Sequence, residues 1–348
     1  MKENLLKTEE AISLVKDTFS TLLSKKLKLV KVSSPLAVLD GTGVNDDLNG
    51  VEQPVSFGIK GMDGRKAVVV QSLAKWKRIR LRDLGLEPGK GILTDMRALR
   101  PDESFSPIHS IYVDQWDWEK HILASDRNMA YLKDTVRKIY EALRITEKLI
   151  SETYPEIEAA LPEEITFLHA DELVQRYPGL SPNERESEAT KEYGAIFLIG
   201  IGGRLSDGSM HDGRAPDYDD WSTVTEDGRA GLNGDIIVWN PVLESAFEIS
   251  SMGIRVDPVS LIRQLRIRGC MERLNLPFHS SLVRGELPLS IGGGIGQSRL
   301  CMYMLRKKHI SQVQVSIWPE VEMRDARDEL IPIQQLHSST IKQGKTSP

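Results

Sequence analysis

The sequence predicts an α+β fold built on a mainly antiparallel sheet, and three observations point that way. Apolar runs of strand length lie between glycine turns, as in "GAIFLIGIGG" (194–203) and "GDIIVWNPV" (234–242). Other stretches alternate polar with apolar residues, as in "YVDQWDWE" (112–119) and "SAFEISSMGIRVD" (245–257). These strands are unevenly spaced and separated by turns, a pattern that favours α+β.

Taken in order, 8–27 reads as an amphipathic helix, with Ile12, Val15, Phe19, Leu22 and Leu23 at helical spacing. "LKLVKV" (27–32) follows as a strand that must stop before Pro35. "DGTGVNDDLNG" (40–50) has the composition of a turn-rich loop. "KAVVVQSLAKWKRIRL" (66–81) joins a buried strand to a basic segment. A long helix is expected over 129–150, with Leu132, Val136, Ile139, Leu143 and Ile150 along one face. Two further helices are expected at 259–274 and 297–308. The expected organisation is a single domain over 1–322 and a polar, partly disordered tail over 323–348.

The composition, 40% apolar and 27% charged, is that of a soluble globular protein. A net charge of −5 argues against a broadly basic nucleic-acid surface. Two cysteines without a C-x-x-C exclude a disulfide scaffold and a cysteine zinc site, and suit a reducing compartment. The amino-terminal stretch is too charged for a signal peptide and too acidic for a transit peptide. No apolar run approaches the ~20 residues of a membrane helix, so a cytoplasmic location is expected.

Several segments carry candidate chemistry. "SIGGGIGQSRL" (290–300) places four glycines in five positions before Arg299, but Gln297 stands where a G-x-G-x-x-G would need glycine, and no P-loop occurs. Read alone, this run is a packed turn from strand to helix, with phosphate contact as the alternative. In "YVDQWDWE", alternation puts Asp114, Trp116 and Trp118 on one face and Gln115 and Asp117 on the other. "HDGRAPDYDDWST" packs Asp212, Asp217, Asp219 and Asp220 around Arg214; such a loop is usually solvated or paired with its own arginine. Asp235 and Glu248 interrupt apolar strands, where a carboxylate needs a partner. They face solvent, pair with Arg255, or share Mg²⁺. The basic run Lys75, Lys77, Arg78, Arg80 and Arg82 beside Trp76 is, by default, a solvated face; the alternatives are a nucleic-acid contact by stacking and phosphate pairing, or a lysine at its start that holds one carboxylate. His109 and His211 are expected to be structural.

These pieces share one resemblance. "GGGIGQSRL" resembles motif 3 of the class II aminoacyl-tRNA synthetase fold, with Arg299 as its arginine. "MRALRPDE" resembles motif 2, with Arg100 as its arginine, and "LVKVSSPL" resembles motif 1, with Pro35 on a dimer-facing strand. Together with "SLAKWKR", "YVDQWDWE", "RAPDYDDWST" and the stretch from "GLNGDI" to "MGIRVD", they resemble the aspartate–ammonia ligase family from the first helix to about Trp318.

The resemblance implies a large, mainly antiparallel sheet flanked by helices. It also implies a homodimer that turns aspartate, ATP and ammonia into asparagine, AMP and pyrophosphate through a β-aspartyl-adenylate. Arg100 would bridge the carboxylate and the α-phosphate, and Gln115 would orient the carboxylate. Asp235 and Glu248 would hold Mg²⁺, and Arg299 the nucleotide. Asp219, Ser250 and Ser251 are implied as ribose and adenine contacts, with Gly294 letting the nucleotide lie on the strand. Lys77 and Ser72 would meet the α-carboxylate, and Asp46 and Asp117 the α-ammonium. Asp46 is also the candidate base for ammonium. Asp47 departs from the amide expected there. Related readings are an aspartyl- or asparaginyl-tRNA synthetase-like adenylating enzyme and a non-catalytic aspartate or AMP sensor.

Overall fold

The computed structural model describes residues 2–46, 48 and 52–319, with side chains from Leu5; Asp47 and the expected tail over 323–348 lie outside the described residues. In chain order the elements are α1 (Lys2–Leu27), β1 (Leu29–Lys31), β2 (Ala37–Leu39), β3 (Ser56–Gly58), β4 (Lys66–Val69) and α2 (Ala74–Asp83). Then come β5 (Gly91–Leu99), β6 (Tyr112–His121), α3 (Met129–Thr153), β7 (Thr166–His169), α4 (Ala170–Arg176) and α5 (Pro182–Tyr193). The last are β8 (Ala195–Ile199), β9 (Asn233–Asn240), β10 (Ser245–Ile254), α6 (Pro258–Arg268), α7 (Pro277–Val283), β11 (Ser290–Gly296) and α8 (Gln297–Met304).

Among the described residues, eight strands form one sheet in the order β1-β5-β6-β11-β10-β9-β8-β7. Only the outer pairs β1–β5 and β7–β8 are parallel; the inner strands are antiparallel, as expected. Strands β2, β4 and β3 make a separate small sheet. Helices α1, α3 and α8 cover one face of the large sheet. Val15, Phe19, Leu23, Val136, Ile139, Leu143 and Leu300 are fully buried there with Trp116 and Trp118. The Phe19 and Trp116 rings meet at 4.9 Å. On the opposite face, α4 and α5 cover β8 and β9, and α6 and α7 make their own apolar cluster.

Local chemistry sets the element ends. Asn128 caps α3 by accepting from the Tyr131 N–H, and Asp257 caps α6 by accepting from Ser260. The helix expected over 259–274 stops at Arg268 because Gly269 turns left-handed at φ 68°; a short 3-10 turn, Met271–Asn275, continues it. Helix α1 begins before the expected Thr8, and α8 ends at Met304, short of Lys308. No helix among the described residues is long and apolar enough to cross a membrane.

Phe19→Ala is expected to cost about 3–5 kcal/mol, because it removes a fully buried ring that joins α1 to β6. Urea unfolding of the variant against the parent measures this directly.

Candidate active site

The glycine-rich strand β11 lies between β6 and β10, and its glycines make room for side chains of its neighbours. A Cβ at Gly292 would stand 1.9 Å from Glu119 Oε2 and 2.6 Å from Arg255 Nη2. A Cβ at Gly294 would stand 2.5 Å from Gln115 Oε1 and 3.0 Å from Asp117 Oδ1. At Gly293 it would strike Met252 on β10 at 2.5 Å. Space for the nucleotide is therefore not the first reason for this run; the glycines first admit the polar side chains of β6.

Those side chains begin a buried chain of alternating charge. Lys77 Nζ donates to Asp117 Oδ1 at 2.8 Å and to the carbonyls of Trp118 and Gly293, both at 3.0 Å. Glu119 lies 3.9 Å from the same ammonium and takes a paired contact from Arg255, whose Nε and Nη2 donate at 3.0 and 2.8 Å. Arg255 Nη1 completes the chain on Asp219 Oδ1. Burial works to raise Glu119, but Arg255, Lys77 and the Ser290 hydroxyl overcome it and hold the carboxyl below its ordinary value. Burial, with Arg255 beside it, pushes the Lys77 ammonium down against the pull of Asp117 and Glu119.

Two default readings of the sequence are corrected here. The basic run is a solvated face only at its end: Lys75, Lys77 and Arg78 of α2 are buried, while Arg80 is half-buried and Arg82 exposed. Arg78 donates to the carbonyls of Pro288 and Val256 at 2.7 and 2.6 Å. The acidic loop is not solvated either, since Asp217, Asp219 and Asp220 are buried and only Asp212 of the four is exposed. Asp217 Oδ2 takes Lys75 at 3.0 Å, His279 Nε2 at 2.9 Å and Arg273 at 3.3 Å. Asp220 takes Arg127 at 2.7 Å. Lysine helix and aspartate loop neutralise each other inside the protein.

Arg214 turns away from its own loop and donates from Nη2 to Asp235 Oδ1 at 2.6 Å. Arg255 does not pair with Asp235. A β-bulge in β10 brings Glu248 to the same side. Pairing with β9 slips by one between Glu248 and Ser250, so Glu248 stands opposite Ile237 and Ser251 opposite Asp235. Ile249 is the extra residue, and it lets Glu248 and Ser251, three positions apart, share the face of Ile237 and Asp235.

Burial pushes the Asp235 carboxyl up, Arg214 pulls it down and the nearby Glu248 charge pushes it up again, leaving it above the ordinary range. Two mutually repelling carboxylates on one sheet face fit a divalent cation shared with phosphates. Among the described residues, no group of three or more His, Cys, Asp or Glu forms a metal cage.

These elements enclose a cavity of about 500 Å³. Of the residues singled out in the sequence, Asp46, Ser72, Lys77, Arg100, Gln115, Asp117, Asp219, Glu248, Ser251, Gly294 and Arg299 all line it. Asp235 and Ser250 do not. The cavity meets Arg214 in place of Asp235, and the Ser250 hydroxyl donates to the Gly294 carbonyl at 3.0 Å. Arg100 donates from Nη2 to the Gln71 carbonyl at 3.2 Å and keeps a buried Nε with no hydrogen-bond partner in the protein; Asp117 Oδ2 is likewise unpartnered.

His109 is part of this wall, a position not legible in a lone histidine. Its Nε2 accepts from Arg299 Nη2 at 2.7 Å and its Nδ1 lies 2.8 Å from the Ser106 hydroxyl. Burial and the Arg299 guanidinium hold His109 down at about 4. Arg299 also lies 3.4 Å from Glu248. Glu52, Arg214 and Tyr218 are also wall residues to which sequence reasoning gave no role in the site.

A profile of the family described as aspartate-ammonia ligase matches residues 6–330. An aspartate–ammonia ligase from Parabacteroides distasonis is 55% identical over 324 residues, covering 93% of this chain and 94% of that protein. Among solved structures, asparaginyl-tRNA synthetase from Entamoeba histolytica in complex with asparaginyl-adenylate superposes with a TM-score of 0.64 at 14% identity, over 90% of this chain and 67% of that one. The Pyrococcus horikoshii asparaginyl-tRNA synthetase complexed with asparaginyl-adenylate gives 0.65 at 17%, over 90% and 70%. At such identities the likeness is one of fold, and the fold is that of class II aminoacyl-tRNA synthetases.

The depressed value of Glu119 has a sign. Its contribution to stability is complete above the unfolded carboxylate value of about 4.3 and is lost as pH falls through the lower folded value. Glu119→Gln is therefore expected to unfold more easily near neutrality and to lose less further stability below about pH 4 than the parent. Denaturant midpoints across acid pH measure both limbs.

Proposed function

The chain belongs to the aspartate–ammonia ligase family, and from that membership we propose how its cavity makes asparagine. The enzyme joins L-aspartate and ammonia using ATP, with AMP and pyrophosphate as co-products. In the first step a β-carboxylate oxygen attacks the α-phosphorus, the bond to the bridging oxygen breaks, and pyrophosphate leaves with the electron pair. In the second, ammonia forms a C–N bond at the activated β-carbonyl, AMP leaves with the carboxyl oxygen, and the surplus proton goes to a base.

The observation that carries this reading is the convergence of Arg100, Gln115 and Asp117 on one wall. Arg100 has a free Nε–H beside the cavity, as a group needs if it is to draw two anions together. Gln115 orients the β-carboxylate without adding charge. Asp117 offers its unpartnered Oδ2 to the substrate ammonium, while Lys77 holds the other oxygen. The three donors of Lys77 already meet three acceptors, so it supplies positive charge under the α-carboxylate, and Ser72 supplies a hydroxyl. Ser251, Gly294 and Arg299 receive the nucleotide. Asp219, tied to Arg255, presents its backbone and remaining oxygen to the ribose. Glu248 on the cavity wall would hold Mg²⁺, joined by Asp235 only if Arg214 released that carboxylate, and the ion when bound would offset charge on the phosphates. Asp46 is assigned as the base.

A homodimer through the segment around β1 and Pro35 belongs to the same proposal. Val30 and Leu36, which flank that proline, are 56% and 62% exposed. A cytoplasmic location fits two free cysteines, Cys270 and Cys301.

The test is conversion of ATP to AMP with aspartate, with and without ammonium, and chromatography for asparagine. Asparagine and AMP should appear together only with ammonium; AMP-forming exchange alone would leave a tRNA-synthetase-like adenylating enzyme, and no turnover a sensor. Arg100→Ala is expected to lose adenylate formation by about a hundredfold or more while keeping its circular dichroism spectrum. Near-normal turnover would remove Arg100 from the mechanism. Asp46→Asn should weaken use of ammonium and aspartate more than ATP binding, and equal losses throughout would displace it from this role.

A further inference from the structure

We propose that a second cavity beside the first holds the ammonium from which the nitrogen is drawn, and that the nitrogen passes into the main cavity by way of Asp46. This rests on reading the main cavity as the ligase site. The second cavity measures about 330 Å³. Its wall joins three distant parts of the chain: the loop after β2, the strand-to-helix turn at Gln71, and the buried pair Asp217 and His279. Asp46 and Glu52 line both cavities, so the two spaces share a boundary.

Three buried side chains in this wall keep polar atoms that no protein group satisfies. Gln71, Asp217 and His279 are each 0% exposed, and neither amide atom of Gln71, nor Asp217 Oδ1, nor His279 Nδ1 has a hydrogen-bond partner in the protein. Buried polar groups without partners are rare, and here they gather around one space. Lys75, Arg273 and His279 all crowd onto Oδ2 of Asp217, which leaves Oδ1 unused. His279 Nε2 donates to that carboxylate, so when the ring carries one proton its Nδ1 keeps a lone pair. With Gln71 Oε1, these make three acceptors for a small tetrahedral donor, and ammonium has four N–H bonds to offer.

Two further observations fit a small cation. Gly43 has φ 73°, and a Cβ there would lie 3.0 Å from His279 Nδ1, so a side chain at this loop position would crowd the acceptor. The lining residues include Asp40, Asp46, Glu52 and Asp217 against Lys75 and Arg273, four negative charges to two positive. Such a lining draws in a cation and turns away aspartate and ATP. Gln71 also ties the space to the chemistry: its N–H donates to Asn45 Oδ1 at 2.9 Å, and its carbonyl accepts from Arg100.

Gln71→Met keeps the backbone bonds and the side-chain volume but removes the amide; Gln71→Glu restores an acceptor. The readouts are the KM for ammonium chloride in asparagine formation, aspartate-dependent ATP–pyrophosphate exchange without ammonium, and the melting temperature. Gln71→Met is expected to raise the ammonium KM about tenfold or more while exchange stays within about twofold of the parent, and Gln71→Glu to return the KM toward the parent. An unchanged ammonium KM in a folded Gln71→Met variant would overturn the proposal. So would exchange falling in parallel with the KM effect, which would mean that Gln71 acts only by holding Arg100. Absence of exchange in the parent enzyme would instead overturn the ligase reading on which this rests.

Discussion

The row of buried charges Asp117, Lys77, Glu119, Arg255 and Asp219 is the constraint on which the rest of the site depends. It runs from β6, which carries both Asp117 and Glu119, through Lys77 of α2 and Arg255 just after β10 to Asp219 in the loop before β9, so its five members tie four parts of the chain together. Taking such groups out of water is costly, and removing one partner from a buried pair costs about 3–5 kcal/mol. The row therefore holds only when all its elements are in place. Its geometry then leaves single functional atoms without a partner in the protein, among them Asp117 Oδ2 on a residue that lines the cavity.

Backbone devices follow from this row. Gly292 has no side chain because Glu119 and Arg255 cross above it, and Gly294 has none because Gln115 and Asp117 do. The bulge at Ile249 is the second device. It puts Glu248 and Ser251 on one face with Asp235, at the cost of one broken step in the pairing. Glycine and bulge serve one end, which is to keep polar groups on one face of a sheet whose other face is a dry core.

The alternation of "YVDQWDWE" shows how much was legible in the sequence. Trp116 and Trp118 had to share one face and Gln115 and Asp117 the other, and they do, because side chains of a strand alternate whatever its neighbours are. The large antiparallel sheet, the long helices and the residues gathered by motif resemblance were legible for the same reason: they rest on local period or on local strings. Partnerships were not. Lys75 and Asp217 are 142 positions apart, and nothing local distinguishes a lysine that will be buried against a distant aspartate from one that will meet water.

By itself, then, the sequence determined which residues could alternate, turn or cap, and which chemical groups were available: the arginines, the carboxylates and the glycine run. Only the tertiary structure decided who pairs with whom. It put Arg214 on Asp235 and Arg255 on Glu119, brought Glu248 and Ser251 onto one face by one bulged residue, set His109 against Arg299, and placed Gln71 in the wall of a second cavity. The physical reason is that local periodicity is a property of neighbouring backbone angles. The pairing of buried charges is a property of long-range packing, where each charge must find a partner among groups brought together only by the completed fold.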